Sequence, residues 1–357
     1  MSRGAVLITG GCGFVGYHIV EAFLMDKSWP EVHVMSRNPT RNLLDGVRYH
    51  AVDTTAPGSV YDLLRKIKPE IIVHAASPLA VGEEISPTRY FDVNVKGTKN
   101  LLECAAASGC VRGFIYTSST VVMAGSSLHQ VREDAPLIVQ STRTGADYAK
   151  SKALADQIVL DYNGRSNMKT LCLRIAPTYG VRDTQILPQM LNLLKRGQHK
   201  FQIGRISYDY DFVSANDAAM AHLLAAKALL RPEDRDKLGI GGEAFFVTEG
   251  DPLSYWDFQR KVFAAAGDRT LQADITITPP WLMLAFASML EWMYLVFTLG
   301  QKTPPLRRHA IEYVCSERTH SIDKAKVRLG YLPTPQKRDE RIQEGVKWIM
   351  DAASRRR

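Results

Sequence analysis

Residues 6–20, VLITGGCGFVGYHIV, decide the fold. A short apolar run enters a glycine cluster, and beyond it the apolar spacing becomes that of a helix. Gly10, Gly13 and Gly16 fall in the turn between the two. Glycine there permits a tight bend, lets main chain approach a pyrophosphate, and allows close packing of helix on strand. The start of the helix, at Phe14 and Val15, offers N–H groups without intrahelical partners and a partial positive charge, which together suit a phosphate. A dinucleotide site at the head of a parallel sheet is the expectation.

Outward from that turn the alternation continues. Strand-like runs recur at EVHVMS (31–36), VRYHAVD (47–53), EIIVHAA (70–76), GFIYTSS (113–119) and TLCLRIA (170–176). Segments with helical spacing lie between most of them, such as VNVKGTKNLLECAAA at 93–107. This predicts an α/β fold: a Rossmann-type doubly wound parallel sheet, with a smaller, mainly helical C-terminal lid over the substrate. The core is expected over 1–180, with 207–250 rejoining the sheet through a helix in DFVSANDAAMAHLLAAKALL (211–230) and a strand in AFFVTEG (244–250). Residues 181–206 and 251–357 then form the substrate-binding region.

With 357 residues, 45% of them hydrophobic and 23% charged, the composition is that of a soluble globular chain. Five scattered cysteines at no ligand spacing point to reduced thiols and to no metal site. The first strand begins too early for a signal peptide. The net charge is +8, and residues 302–357 hold 14 Lys or Arg against seven Asp or Glu. No basic–aromatic interleaving accompanies that excess, so a nucleic-acid partner is not expected.

The end of the second strand bears on cofactor choice. An acid there would take a ribose 2′-hydroxyl, but the sequence has Ser36 and Arg37. Arg37 can pair with a 2′-phosphate or lie along the adenine, so NADP is favoured over NAD. Asp53 is the expected adenine contact, and Ala75 and Ala76 leave room at the end of the fourth strand.

The candidate chemistry lies in DYAKSK, 147–152. Tyr148 and Lys152 are four apart and share a helix face, whereas Lys150 points elsewhere. Upstream, Ser118 and Ser119 close the fifth strand. Strand, paired serines and Tyr-x-x-x-Lys together resemble the extended short-chain dehydrogenase/reductases, over nearly the whole chain. Within them the chain is most similar to the 3β-hydroxysteroid dehydrogenase branch, through HAASP, YTSS, YAKSKALAD, KFQIG and IDKAKVRLGYLP.

The resemblance implies an NAD(P)-dependent oxidation of a 3β-hydroxyl on a sterol or sterol-like terpenoid to the 3-ketone, with CO2 lost where a 4-carboxylate is present. Tyr148 would be the base, its pKa lowered by Lys152 and the nicotinamide charge. Ser119 would hold the substrate oxygen, Lys152 also the ribose, and Ser118 and Pro177 would face the cofactor. Asn94 is open between a proton relay and a helix-surface or capping role. The chain departs from the family pattern at Ile175, at Val181-Arg182, and at Arg205 and Tyr208, which leaves a related terpenoid or meroterpenoid of fungal secondary metabolism, without decarboxylation, as the alternative. A sugar-nucleotide epimerase or reductase and a non-catalytic nucleotide sensor rank lower.

Residues 281–299 are mostly apolar and carry one charge, Glu291. A spanning helix, a buried core helix and a monotopic helix dipping into one leaflet compete. The monotopic reading is preferred, because a carboxylate inside a bilayer is costly unless paired and the basic tail suits anionic headgroups. It would place the chain on the cytoplasmic face of the endoplasmic reticulum, and otherwise in the cytoplasm. A homodimer remains open.

Overall fold

Seven strands assemble the central sheet: β1 (Val6–Thr9), β2 (Val32–Ser36), β3 (Val47–Ala51), β4 (Ile71–His74), β5 (Gly113–Ser119), β6 (Lys169–Ile175) and β7 (Glu243–Val247). The computed structural model describes residues 4–79, 85–140, 147–204, 208–231, 239–299, 304 and 306–355. The strand order is β7-β6-β5-β4-β1-β2-β3, and every pairing is parallel. The chain runs outward from β1 to β3 and then crosses back to β4 beside β1. The order therefore reverses between β1 and β4, where ligands of such sheets bind at the carboxyl ends of the strands.

Both faces of the sheet are covered, which is why its strands read as continuous apolar runs rather than alternating ones. Val6 and Ile8 of β1 face one core with Ile19, Val20 and Phe23 of α1 (Phe14–Met25). Leu7 faces the other core with Val60 and Leu64 of α2 (Pro57–Ile67), Leu101 and Leu102 of α3 (Gly97–Ser108), and Val159 of α4 (Asp147–Asp161).

A third apolar cluster gathers α5 (Ile186–Lys195), α7 (Tyr255–Ala265) and α11 (Arg338–Ser354) around Leu187, Met190, Phe258, Val262, Ile342 and Val346. Between α5 and α7 in the chain, α6 (Ala215–Leu229) lies on the sheet against α1, and β7 pairs in register with β6. Residues 211–250 thus hold one helix and one strand of the sheet; the expected boundary at 206/207 falls outside the described residues. A buried chain ties the last helix to the sheet: Arg338 Nε donates to Glu249 Oε2 at 2.7 Å, and the Tyr179 hydroxyl donates to Glu249 Oε1 at 2.6 Å.

After Pro279 comes α8 (Pro280–Thr298), followed by α9 (Arg308–Val314) and α10 (Asp323–Leu329). Only Ala287 of α8 is buried, so the buried-core reading of 281–299 fails. Among the described residues it is the one helix long and apolar enough to cross a membrane. Its single carboxylate is engaged: Glu291 Oε1 accepts the Arg308 N–H at 2.9 Å, at the first residue of α9.

Candidate active site

The glycine turn makes a close-walled cradle. Gly10 has φ +71, and a Cβ there would lie 2.7 Å from the Ala76 Cα. A Cβ on Gly16 would overlap the Gly10 carbonyl oxygen, whereas the Gly13 N–H donates to that oxygen at 2.9 Å. Helix α1 then starts at Phe14 without a side-chain cap and without an acid in its first turn. Its first N–H groups, on Phe14, Val15 and Gly16, thus have no helical partners and face no competing carboxylate. The cradle fits a diphosphate.

At the rim, Arg37 is exposed and Ser36 half-buried. Burial pushes the Asp53 carboxyl up, but the Thr55 N–H and hydroxyl (both 2.8 Å) and the charges of Arg37 and Arg89 outweigh it and hold it below its ordinary value. Arg89 is a second cation at this rim that the sequence reading did not pick out. On the β4 side, the Ala75 and Ala76 N–H groups donate to the carbonyl and hydroxyl oxygens of Thr9, both at 3.2 Å. His74 locks this corner, with Nδ1 2.7 Å from Thr9 Oγ1 and Nε2 3.0 Å from Thr98 Oγ1. Burial pushes that imidazole down to about 3, so it stays neutral.

Ser118 and Ser119 end β5, and α4 packs across them. The Lys152 ammonium donates to the Thr117 carbonyl at 2.6 Å and sits 4.5 Å from the centre of the Tyr116 ring. Ser118 is buried with no partner on its hydroxyl among the described residues, and Ser119 Oγ accepts the Val121 N–H at 3.4 Å. The half-buried Tyr148 ring meets Tyr90 edge-on at 5.6 Å. Helix α4 is held in place by a buried bidentate pair, Arg174 with Asp156, at 2.9 and 3.1 Å.

The electrostatics correct one sequence expectation. Burial, then the neighbouring Tyr90 phenol, pushes Tyr148 well above its ordinary value; it is not lowered in the protein alone. Burial also pulls Lys152 down to about 7, against the opposing pull of Asp156 and Cys172. Desolvation penalises both charged forms, and it is the largest cause for each.

Asn94 is buried, and not a surface or capping residue. It lies in a π-helical turn, Phe91–Lys96, of the kind that recurs at functional sites. Its Nδ2 donates to Ser151 Oγ and its Oδ1 accepts from Ser77 Oγ, both at 2.9 Å, while Ser151 Oγ donates to the Tyr148 carbonyl at 2.8 Å. This chain joins the end of β4 to the first turn of α4. Pro177, after β6, accepts the Val213 N–H at 3.1 Å. In the departing loop, Arg182 adopts φ +68, a left-handed conformation that favours glycine. Its guanidinium covers the Tyr17 ring at 4.1 Å and donates to Asn42 Oδ1 at 2.7 Å, and Asn42 in turn donates to the Cys12 carbonyl of the glycine turn at 3.0 Å. Tyr208 is described and half-buried, whereas Arg205 lies outside the described residues.

A family model, the 3-beta hydroxysteroid dehydrogenase/isomerase family, matches residues 7–275. The chain belongs to that family. Among curated relatives, the decarboxylating sterol-4-alpha-carboxylate 3-dehydrogenase of Gibberella zeae is 34% identical over 293 residues, covering 82% of this chain and 94% of that one. Its namesake in Saccharomyces cerevisiae is 34% identical over 340 residues, covering 92% and 93%. Of solved structures, UDP-glucose 4-epimerase from Thermotoga maritima superposes with TM-score 0.71 at 19% identity over 98% of this chain and 99% of that one. The Bordetella bronchiseptica enzyme WbmH, solved with NAD+, gives the same TM-score, identity and coverage. At those identities the structural neighbours establish the Rossmann-like fold and nothing further.

Against this family frame, the sequence reading missed a second link to Lys152. Thr117, whose carbonyl holds the ammonium, has its hydroxyl 2.8 Å from His222 Nε2, and His222 Nδ1 is 2.7 Å from the Ala218 carbonyl. Burial pushes His222 down to about 4. The one signal in the sequence is a lone polar ring in the alanine-rich run AAMAHLLAA, 218–226.

Proposed function

We propose that this chain oxidises the 3β-hydroxyl of a sterol or sterol-like 4-carboxylate to the 3-ketone, after which CO2 leaves. The observation that carries it is the meeting, at the carboxyl ends of β4 and β5, of the glycine cradle, the Ser118–Ser119 strand end, buried Lys152 and the Asn94–Ser151–Tyr148 chain. The names of the fungal relatives supply the substrate class.

The cradle of Gly10, Gly13, Phe14, Val15 and Gly16 would hold the diphosphate of a nicotinamide dinucleotide, with Asp53 near the adenine and Ala75, Ala76, Ser118 and Pro177 towards the nicotinamide. Bound there, that group supplies the hydride acceptor. Arg37, with Arg89 close by, favours a 2′-phosphate and hence NADP over NAD. Ser119 orients the substrate oxygen, and Tyr148 removes its proton. Tyr148 stands above its ordinary pKa in the protein alone, so proton removal relies on the positive charge added when Lys152 is protonated and the site is filled. Lys152, near 7, holds that charge most fully below neutrality and can release a proton close to it. Asn94, through Ser151, fixes the first turn of α4 against the end of β4. Once the ketone exists, a 4-carboxylate is β to a carbonyl, so its C–C bond breaks with the electron pair delocalised on to the ketone oxygen. No further side chain is needed for that step.

Helix α8 would lie in one leaflet on the cytoplasmic face of the endoplasmic reticulum and admit a lipophilic substrate without passage through water. Its exposed Trp281, Trp292 and Phe297 support that placement, as does the Glu291 cap on α9, which ties the carboxylate to the protein surface.

The test is incubation of purified protein with NADP or NAD and matched 3β-hydroxy sterols and terpenoids, with and without a 4-carboxylate. Absorbance of reduced cofactor reports oxidation, and mass loss reports CO2. Turnover confined to substrates lacking a carboxylate would refute the decarboxylating reading and leave the terpenoid dehydrogenase in its place.

A further inference from the structure

Beyond Ser119 a small cavity of about 10 Å³ is bordered by Thr120, Val121, Pro177, Tyr210, Arg318 and His320. That is about the space of one oxygen atom. It adjoins the proposed catalytic centre from two sides, because Thr120 and Val121 directly follow Ser119 and Pro177 lies two residues past the end of β6. Its far wall is a separate small sheet in which Asp209–Tyr210 and Arg318–His320 are neighbouring strands, with Tyr210 opposite Arg318.

The polar groups of this wall are arranged unevenly. Asp211 Oδ2 accepts the His320 main-chain N–H at 2.6 Å and lies 3.1 Å from His320 Nδ1, with both side chains 3% exposed. One imidazole nitrogen is thereby engaged, while Nε2, also buried, has no hydrogen-bond partner among the described residues. Arg318 Nε is likewise buried without one, although its guanidinium is held over the Tyr313 ring at 4.4 Å. Buried donors left unpaired are costly and uncommon in native proteins. Three buried polar atoms, the Tyr210 hydroxyl, Arg318 Nε and His320 Nε2, border one oxygen-sized space beside a reacting centre and point to a ligand oxygen. The guanidinium charge selects an anion, and its charge-assisted bonds favour a carboxylate over a neutral hydroxyl.

We propose that Arg318 and His320 form an anion subsite that seats one oxygen of the substrate's carboxylate and so fixes which face of the sterol nucleus meets Ser119 and Tyr148. This rests on the reading of the chain as acting on a 4-carboxylated substrate. With the anion bound, Asp211 stays on His320 Nδ1 and the ligand oxygen faces Nε2. Arg318 supplies the positive charge. The subsite selects and orients the acid; bond cleavage still follows from the neighbouring ketone.

The experiment compares kcat/KM for a 4α-carboxy 3β-hydroxysterol and the same sterol lacking the carboxylate, in wild type, Arg318→Gln and His320→Asn. Thermal melts show that each variant is folded. The wild-type preference for the acid should fall at least tenfold in Arg318→Gln, mainly through KM, and by a smaller factor in His320→Asn, whose amide can still donate to Asp211. A preference that survives both substitutions, or parallel losses on the two substrates, overturns the subsite. Calorimetric binding of the carboxylated sterol and of its methyl ester, without turnover, provides the second arm. If wild type oxidises neither sterol, the proposed function fails. Tighter binding of the acid than of the ester, lost in Arg318→Gln, would still establish the subsite, and equal binding would refute it.

Discussion

Helices α1 and α8 are matched in apolar character and meet opposite fates. Helix α1 follows a glycine turn that lets it lie directly on β1, and α6 closes over its other side. Seven of its twelve residues are buried. Helix α8 follows two prolines, touches chiefly α9, and leaves Trp281 69%, Trp292 70% and Phe297 79% exposed. Hydrophobicity alone therefore does not decide burial; a second layer must be available to pack against. Each large apolar side chain left in water forgoes about 1.5–3 kcal/mol. Helix α8 accordingly carries an unmet driving force towards burial, whereas that of α1 is met against the sheet.

The contrast can be tested from the buried side first. Tyr148→Phe removes the proposed base from the buried half and should lower turnover by about 10³-fold, while cofactor affinity, measured by fluorescence titration, changes only a few-fold. Turnover near wild type would remove Tyr148 from the chemistry.

Lys152 tests how burial acts on charge. Its folded pKa, about 7, lies below the ordinary 10.5, so between those values the unfolded chain binds more protons. Stability from this group is fully present above 10.5 and is lost as the pH falls through 7. Melting temperatures of the cofactor-free protein should therefore rise between pH 7 and 9. Lys152→Met should flatten that rise and stabilise the protein near pH 7, by an amount on the order of a few kcal/mol. An unchanged slope would show that the ammonium is well solvated in the folded state.

Gly16→Ala probes the cradle itself. The added methyl meets the Gly10 carbonyl, and overpacking of that kind costs about 1–3 kcal/mol. A lower melting temperature and weaker cofactor binding are expected together, and wild-type values for both would mean the turn can relax.

On the exposed side the smallest change in stability is expected. Trp292→Ser combined with Phe297→Ser should shift folding stability by no more than about 0.5 kcal/mol, yet reduce co-sedimentation with anionic phospholipid vesicles by at least tenfold. A large fall in melting temperature, with vesicle binding unaltered, would instead mean that α8 is covered by protein, for example by a second copy of the chain.

Much of the buried half is legible in the sequence because its causes are local. Strands buried on both faces must be apolar at every position, so β1, β4, β5 and β6 announce themselves. The glycines mark where a Cβ has no room, and four-residue spacing sets Tyr148 and Lys152 on one helix face. Other features are not local. Asn94 reads as an ordinary helix residue until a π turn directs it inward to Ser151 and Ser77. The carbonyl that holds Lys152 comes from position 117, and His222, which braces that residue, is 105 positions further on. Arg182 occupies a glycine-like backbone conformation supported by Tyr17 and Asn42, contacts that no local spacing reveals. Tyr148 shows the same limit in its energetics, since the pattern supplies the cation and only burial supplies the opposing cost.

The sequence by itself determined the parallel α/β plan, the cradle built for a diphosphate, and the pairing of a phenol with an amine on one helix face, because each follows from short-range sterics and periodicity. Tertiary structure alone decided which charges are desolvated, which polar groups find partners, and which of two equally apolar helices is left facing outward. Those outcomes depend on what the rest of the chain brings alongside, and solvent exclusion is a property of the whole fold rather than of any one segment.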